Sequence, residues 1–80
     1  MKIDQLGRTI ELLRQKLMFE LEAYNEAVLA GKSTAQVQPI YAKIKETREK
    51  IQTLNAEYEE RLNKEIEKFN RLDSKKKQEN

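Results

Sequence analysis

Carboxylates are the most abundant groups in this chain that could take part in chemistry. Its 80 residues include 14 Asp and Glu against 16 Lys and Arg, with no His and no Cys. Thiolate and imidazole metal sites, Ser-His relays and His-based proton transfer are therefore excluded. General acid–base catalysis by carboxylates alone needs a carboxyl group whose pKa is raised by burial in a cleft. Glu20 and Glu65 come nearest to the apolar stripes, but two helices enclose no cleft, so we predict no catalytic, cofactor or metal site and no small-molecule substrate.

Tyrosines and lysines allow a second kind of chemistry, the binding of nucleic acid. The candidates are Tyr24, Tyr41 and Tyr58, because aromatics interleaved with Arg and Lys can stack on single-stranded bases. Their helical spacing instead favours positions at the edge of a packed seam. The net charge is only +2, with the two signs interleaved, which predicts weak attraction to phosphate. A nucleic-acid binder acting through Arg71 and Lys75 to Lys77 is therefore the third of three candidate functions.

Two long amphipathic helices must position any such residues. Apolar residues recur in steps of three, four or seven over residues 3–29 and again over 39–72, and this period is that of a helix. The residues that we expect to pack between the helices are Leu6, Ile10, Leu13, Leu17, Leu21, Tyr24, Val28, Ile40, Ile44, Ile51, Leu54, Tyr58 and Leu62. Polar Thr47 lies near this seam, where it could fix the register.

Residues 30–38 are predicted to form the turn between the helices. Gly31 suits the position just past a helix end, and Ser33 with Gln36 has the spacing of a capping box. Pro39 disfavours helical geometry at Gln38. Two alternatives stay open: a short turn before the long helix, or a helix that starts earlier and bends at Pro39. Either connection is short, and short connections between long helices give antiparallel neighbours.

The predicted fold is all-α: an antiparallel, coiled-coil-like two-helix hairpin in a single domain, residues 1–72. Equal rise along the helices places Ile10 near Tyr58 and Ile3 near Glu65, so the second helix is the longer one. We expect two copies to associate into a four-helix arrangement. Residues 73–80 are predicted to form a polar, basic, disordered tail. Complementary charges four residues apart, such as Glu46 with Lys50, predict a solvated outer face.

Exposed apolar residues indicate binding to protein. Leu12 and Phe19 on the first helix, and Ile66, Phe69 and Leu72 beyond its reach, are the predicted partner-binding residues. The expected function is a non-enzymatic interaction or assembly module that binds a second copy or another protein. The N-terminus has no signal-peptide pattern, and no apolar run is long enough to span a membrane. We therefore predict a cytoplasmic protein with no membrane partner.

The chain resembles a family of small helical-hairpin phosphatases. The pattern of Leu6, Ile10, Glu11, Leu13, Arg14 and Leu17, then a short turn and a helix from near Val37, is similar to the aspartyl-phosphate phosphatases of the bacillus sporulation phosphorelay. The family's Ser-Gln-x-Leu-Asp signature would fall on residues 41–45, where Ile44 agrees and Tyr41 and Lys45 replace Ser and Asp. The resemblance implies a hairpin fold and, as the second candidate function, a bacterial regulator that dephosphorylates a response regulator.

Overall fold

The structure is a computed structural model that describes the backbone of residues 2–79 and the side chains of residues 2–72. It contains two helices, α1 (Ile3–Leu29) and α2 (Thr34–Glu79). They pack against each other as an antiparallel hairpin, and the described residues include no strand. The predicted all-α hairpin fold with a longer second helix is therefore confirmed.

The turn is built from complementary capping of the two helix ends. Gly31 has a φ of 73°, and its N–H donates to the Val28 carbonyl while the N–H of Lys32 donates to that of Ala27. These two bonds form a Schellman motif, which a glycine completes with little strain. On the other side, the Ser33 N–H donates to Gln36 Oε1 at 3.1 Å, and the Gln36 N–H donates to Ser33 Oγ at 3.3 Å. This reciprocal pair is a capping box that starts α2.

The two ends of α2 differ from the sequence prediction. α2 begins at Thr34 rather than at residue 39, so Pro39 lies inside the helix and the turn is shorter than residues 30–38. Of the two alternatives, the earlier start is the observed one, because the capping box at Ser33 begins the helix and Pro39 removes only one internal N–H donor. The helix also continues past Leu72 to Glu79, where a disordered tail was predicted. The side chains of residues 73–80, including Lys75 to Lys77, lie outside the described residues.

Burial in the seam between the helices follows a heptad pattern. Buried and half-buried residues recur in alternating steps of three and four, the spacing of a coiled coil. The heptad residues in α1 are Ile3, Leu6, Ile10, Leu13, Leu17, Glu20, Tyr24 and Ala27, and in α2 they are Val37, Ile40, Ile44, Thr47, Ile51, Leu54, Tyr58 and Arg61. Beside this pattern, Gly7, Thr9, Asn55 and Glu57 are also half-buried.

Three residues predicted for the seam are exposed instead. Leu21, Val28 and Leu62 each lie one position after a heptad residue and are 42%, 51% and 39% exposed. The heptad positions beside Leu21 and Val28 are taken by Glu20 and Ala27. Judged by polarity and size alone, Glu20 and Ala27 are poorer candidates for burial than Leu21 and Val28. The direction of the side chain decides which residue meets the partner helix.

Contacts across the seam set the register. The Thr47 hydroxyl donates to Glu20 Oε1 at 2.6 Å, and a Cβ built on Gly7 would lie 3.7 Å from Tyr58 Cε2. Ile3 shares a groove with Arg61 and Glu65. These contacts agree with the predicted register to within one helical turn. The groove at the start of α1 also includes Lys68, and α2 continues beyond that residue to Glu79.

The hairpin is a thin rod rather than a compact domain. It measures 70 × 18 × 15 Å, and its radius of gyration is 20.1 Å. A compact domain of this length would have a radius of gyration of about 12 Å. The apolar core contains five buried residues, Leu6, Ile10, Ala27, Ile44 and Ile51. A core this small contributes little stability to a chain of 80 residues.

Candidate interaction surface

Carboxylates, the most abundant candidate catalytic groups, do not converge on one site. Glu20 is half-buried and accepts the hydrogen bond from Thr47, whereas Glu65 is exposed at the groove that contains Ile3. Among the described residues, no three carboxylates lie close enough to hold a metal ion. Three carboxylates are instead paired within α2, in the ion pairs Glu46–Lys50, Glu57–Arg61 and Glu60–Lys64 at 3.1 to 3.4 Å.

All five predicted partner-binding residues are exposed. Leu12 and Phe19 of α1 are 66% and 71% exposed, and Phe69 of α2 is 72% exposed. Ile66 and Leu72 flank Phe69 and are also exposed. Ile66, Phe69 and Leu72 lie at or beyond the start of α1, whose first residues share a groove with Glu65 and Lys68. Their exposure is thus a consequence of the unequal helix lengths.

The hairpin has two distinguishable sides, one on each flank of the seam. Val28 and Tyr41 line one groove, so they lie on the same side. Thr9 and Lys50 line a groove on the other flank. Steps of seven keep residues on one side of a coiled-coil seam. The first side therefore carries Leu21 and Val28 of α1 and the heptad line Tyr41, Arg48, Asn55, Leu62 and Phe69 of α2.

Apolar residues on the first side form two patches. The turn patch consists of Leu21, Val28 and Tyr41, close to the connection between the helices. The distal patch consists of Leu62, Ile66, Phe69 and Leu72, at and beyond the start of α1. All seven residues are exposed, and we call this flank of the hairpin the apolar side. Leu21, Val28 and Leu62 were predicted for the seam, although the spacing of Tyr41, Leu62 and Phe69 in multiples of seven residues was a usable signal.

The structure does not bring Leu12 and Phe19 together with the distal patch. Phe19 and Leu21 are two residues apart, which turns their side chains about 200° around the helix axis. Leu12 lies seven residues before Phe19 and thus on the same flank. The predicted partner-binding residues therefore divide into two separate surfaces, with Leu12 and Phe19 facing away from the apolar side.

The opposite flank, which we call the charged side, is rich in paired charges. Lys50 lines the groove beside Thr9, and its ammonium group lies 3.4 Å from Glu46. Lys64, fourteen residues further along, pairs with Glu60 in the same way. On the apolar side, Arg14, Arg48 and Glu59 occupy the space between the two patches, and no ion pair within the described residues includes them.

The tyrosines lie along the edge of the seam. The rings of Tyr24 and Tyr41 are 6.4 Å apart and tilted by 53°, a favourable aromatic geometry. Tyr58 lies beside Gly7, where an added Cβ would be in ordinary contact with its ring at 3.7 Å. Two of the three tyrosines therefore contact each other, and the third fills the seam at the far end of α1.

The arrangement defines a class of protein, an all-α antiparallel helical hairpin with one apolar and one charged side. Neither described helix contains an apolar stretch long enough to cross a membrane. No protein family model matches the chain, and no curated protein or solved structure gives a significant match. At the positions of the phosphatase signature, Tyr41 and Lys45 are exposed and Ile44 is buried in the seam.

Proposed function

We propose that this chain is a small, non-enzymatic interaction or assembly module that binds protein through its apolar side. The observation that carries the proposal is the distal patch, in which Phe69 is 72% exposed and α1 is too short to cover it. Grouped exposed apolar side chains of this kind favour association, because removing apolar area from water is worth about 25 cal/mol per Å². The cytoplasmic location is part of the proposal and rests on the sequence.

The paired charges of the opposite flank support the same proposal. Exposed ion pairs contribute little to stability, commonly less than about 1 kcal/mol each, but they keep a surface hydrated. The apolar side has two apolar patches and charges that no described residue pairs. Seven exposed apolar residues on the apolar side, against Leu12 and Phe19 on the opposite flank, favour the apolar side for docking. Leu12 and Phe19 are a second, separate surface in the proposal.

Site-specific photo-crosslinking tests the docking side without assuming the partner. Phe69 is replaced by p-benzoylphenylalanine, and the cells that contain the protein are irradiated. We expect a protein adduct from position 69, whereas position 50, on the flank that carries Leu12 and Phe19, should give one only if the second surface is also used. The same replacement at Phe19 tests the second surface. Absence of any protein adduct from position 69 would contradict the proposal.

The other two candidate functions have direct assays. A response-regulator phosphatase accelerates loss of phosphate from a phosphorylated receiver domain when the two proteins are mixed. A nucleic-acid binder shows an affinity that falls steeply with salt concentration. An interaction module does neither, so activity in either assay would favour the corresponding alternative.

A further inference from the structure

We infer that the apolar side is covered by a second copy of this chain, packed antiparallel about a two-fold axis that passes near Asn55. The inference rests on the proposed function and names the partner of the same surface. In this dimer the distal patch of each copy packs on the turn patch of the other copy. The contact is isologous, as in most two-fold symmetric dimers.

The exposed area of the chain is large enough for such an interface. The hairpin exposes 6987 Å² of accessible surface, and its mass is 9.5 kDa. A compact monomer of this mass exposes about 5,000 Å², so the excess is about 2,000 Å². A stable interface of standard size takes about 800 Å² from each partner. Burying one side of the rod therefore supplies the area that a stable dimer needs.

The order of residues along α2 is symmetric about Asn55. The heptad line on the apolar side reads Tyr41, Arg48, Asn55, Leu62 and Phe69. Residue 55 is midway between Tyr41 and Phe69, and midway between Arg48 and Leu62. A two-fold axis at Asn55 places Phe69 of one copy against Tyr41 of the other. It places Leu62 against Arg48, whose aliphatic stem can pack on apolar surface.

Charges on the apolar side complement each other in the same arrangement. Rotation about Asn55 brings Glu59 to the level of residue 51 of the other copy, between Arg48 on its α2 and Arg14 near the middle of its α1. These three residues have no ion pair within the described part of the chain. The antiparallel dimer therefore gives each glutamate two arginines across the interface. Such pairs set orientation more than they add affinity.

The unequal helix lengths distinguish the antiparallel from the parallel arrangement. α2 extends over residues 34–79, and its middle lies close to residue 55. Antiparallel copies of α2 thus overlap along nearly their whole length. The part of α2 that extends past α1 in each copy lies on the turn end of the other copy. In a parallel dimer the parts of α2 that extend past α1 would project from the same end and pack only on each other, and Arg48 of one copy would face Arg48 of the other. The antiparallel arrangement is the one that covers both apolar patches with each other and places Glu59 near arginines instead of bringing like charges together.

Engineered cysteines test this arrangement directly, because the chain contains no cysteine. The variants N55C, K45C and E65C are treated with a short bismaleimide cross-linker, and solution mass is measured by light scattering over a concentration series. We expect a dimer in which N55C cross-links to itself and a mixture of K45C with E65C forms a cross-linked heterodimer. K45C alone and E65C alone are about 30 Å from their own copies and should not cross-link. K50C, on the charged side, is the matched control and should also remain uncross-linked.

Truncation of the distal patch provides the second measurement. The double variant I66A/F69A should weaken the dimer about 100-fold while the helical content measured by circular dichroism stays unchanged. The variant L12A/F19A removes similar side chains from the other flank and should leave dimerisation unchanged.

The outcomes separate this inference from the proposed function. A monomer at all concentrations, or a dimer in which K45C links to itself and N55C does not, would overturn the antiparallel pairing. In either case adducts from position 69 would still support an interaction module. A dimer that forms equally well in I66A/F69A would overturn the inference together with the proposed docking side.

Discussion

Thr47 is the polar side chain that is buried in the seam among the described residues, at 2% exposure. Its hydroxyl donates to Glu20, which is half-buried and belongs to the other helix. A hydrogen bond to a charged acceptor contributes more than a neutral one, but each polar residue also displaces an apolar side chain from a heptad position. The Glu20–Thr47 layer therefore favours one register at some cost in stability.

Substitution of this layer should separate its two effects. We expect Thr47→Val to lower the free energy of unfolding by about 1 kcal/mol, because the Glu20 carboxylate loses its donor. The double variant E20L/T47V should be at least as stable as the wild type, since an apolar layer replaces the polar one. Urea unfolding at fixed protein concentration measures both.

Thr53 is the matched control for Thr47, because its hydroxyl bonds to the Glu49 carbonyl within α2 at an exposed position. Thr53→Val should change stability by less than about 0.5 kcal/mol. A Thr47→Val variant as stable as the wild type would show that the bond across the seam contributes nothing.

Replacing the two glycines by alanine should have opposite effects on stability. Gly31 has positive φ, and an added Cβ would meet nothing within 4 Å, so Gly31→Ala should cost about 1 kcal/mol from backbone strain alone. Gly7 lies inside α1, and its added Cβ would make an ordinary contact of 3.7 Å with Tyr58. Gly7→Ala should therefore raise stability by up to about 1 kcal/mol. Thermal unfolding of the pair measures both signs, and a shift in the same direction for both would refute the assignment.

At the scale of elements, α1 was predictable and the ends of α2 were not. The predicted bounds of α1, residues 3–29, are those observed, because Gly31 marks its end locally. The start of α2 depends on a competition between the capping box at Ser33 and the cost of Pro39. The seam decides it, since a helix from Thr34 places both Val37 and Ile40 at heptad positions. That benefit comes from α1 and cannot be derived from the turn residues alone.

Replacing Pro39 should stabilise α2. An alanine there restores an N–H that can donate to the Ala35 carbonyl and removes the clash of the ring with the preceding turn. We expect Pro39→Ala to raise the free energy of unfolding by on the order of 1 to 3 kcal/mol. Urea unfolding measures the change, and Gln38→Ala, at the exposed neighbouring position, should shift it by less than about 0.5 kcal/mol. Equal effects of the two substitutions would mean that the helix already accommodates the proline.

For the whole molecule, the hairpin and its overhang followed from counting residues, whereas the surface did not. The period of the apolar residues and a short turn predict two antiparallel helices of unequal length. The sequence does not say on which flank of the seam each helix presents its exposed apolar residues. That depends on the handedness with which the two helices are arranged, which determines whether Leu21 of α1 and Phe69 of α2 lie on the same flank. The predicted surface residues were all exposed, but Leu12 and Phe19 belong to a different flank.

The tight turn also determines the order in which the hairpin can assemble. Contacts across the seam join residues that are farther apart in the chain with each step away from Gly31. Tyr24 and Tyr41 are separated by 17 residues, and Glu20 and Thr47 by 27. Because the entropic cost of closing a loop rises with its length, the turn end pairs first and each formed layer shortens the loop left for the next. The two helices therefore pair progressively from Gly31 outward. The start of α1, beside Arg61 and Glu65, is the last part to pair and the first to fray.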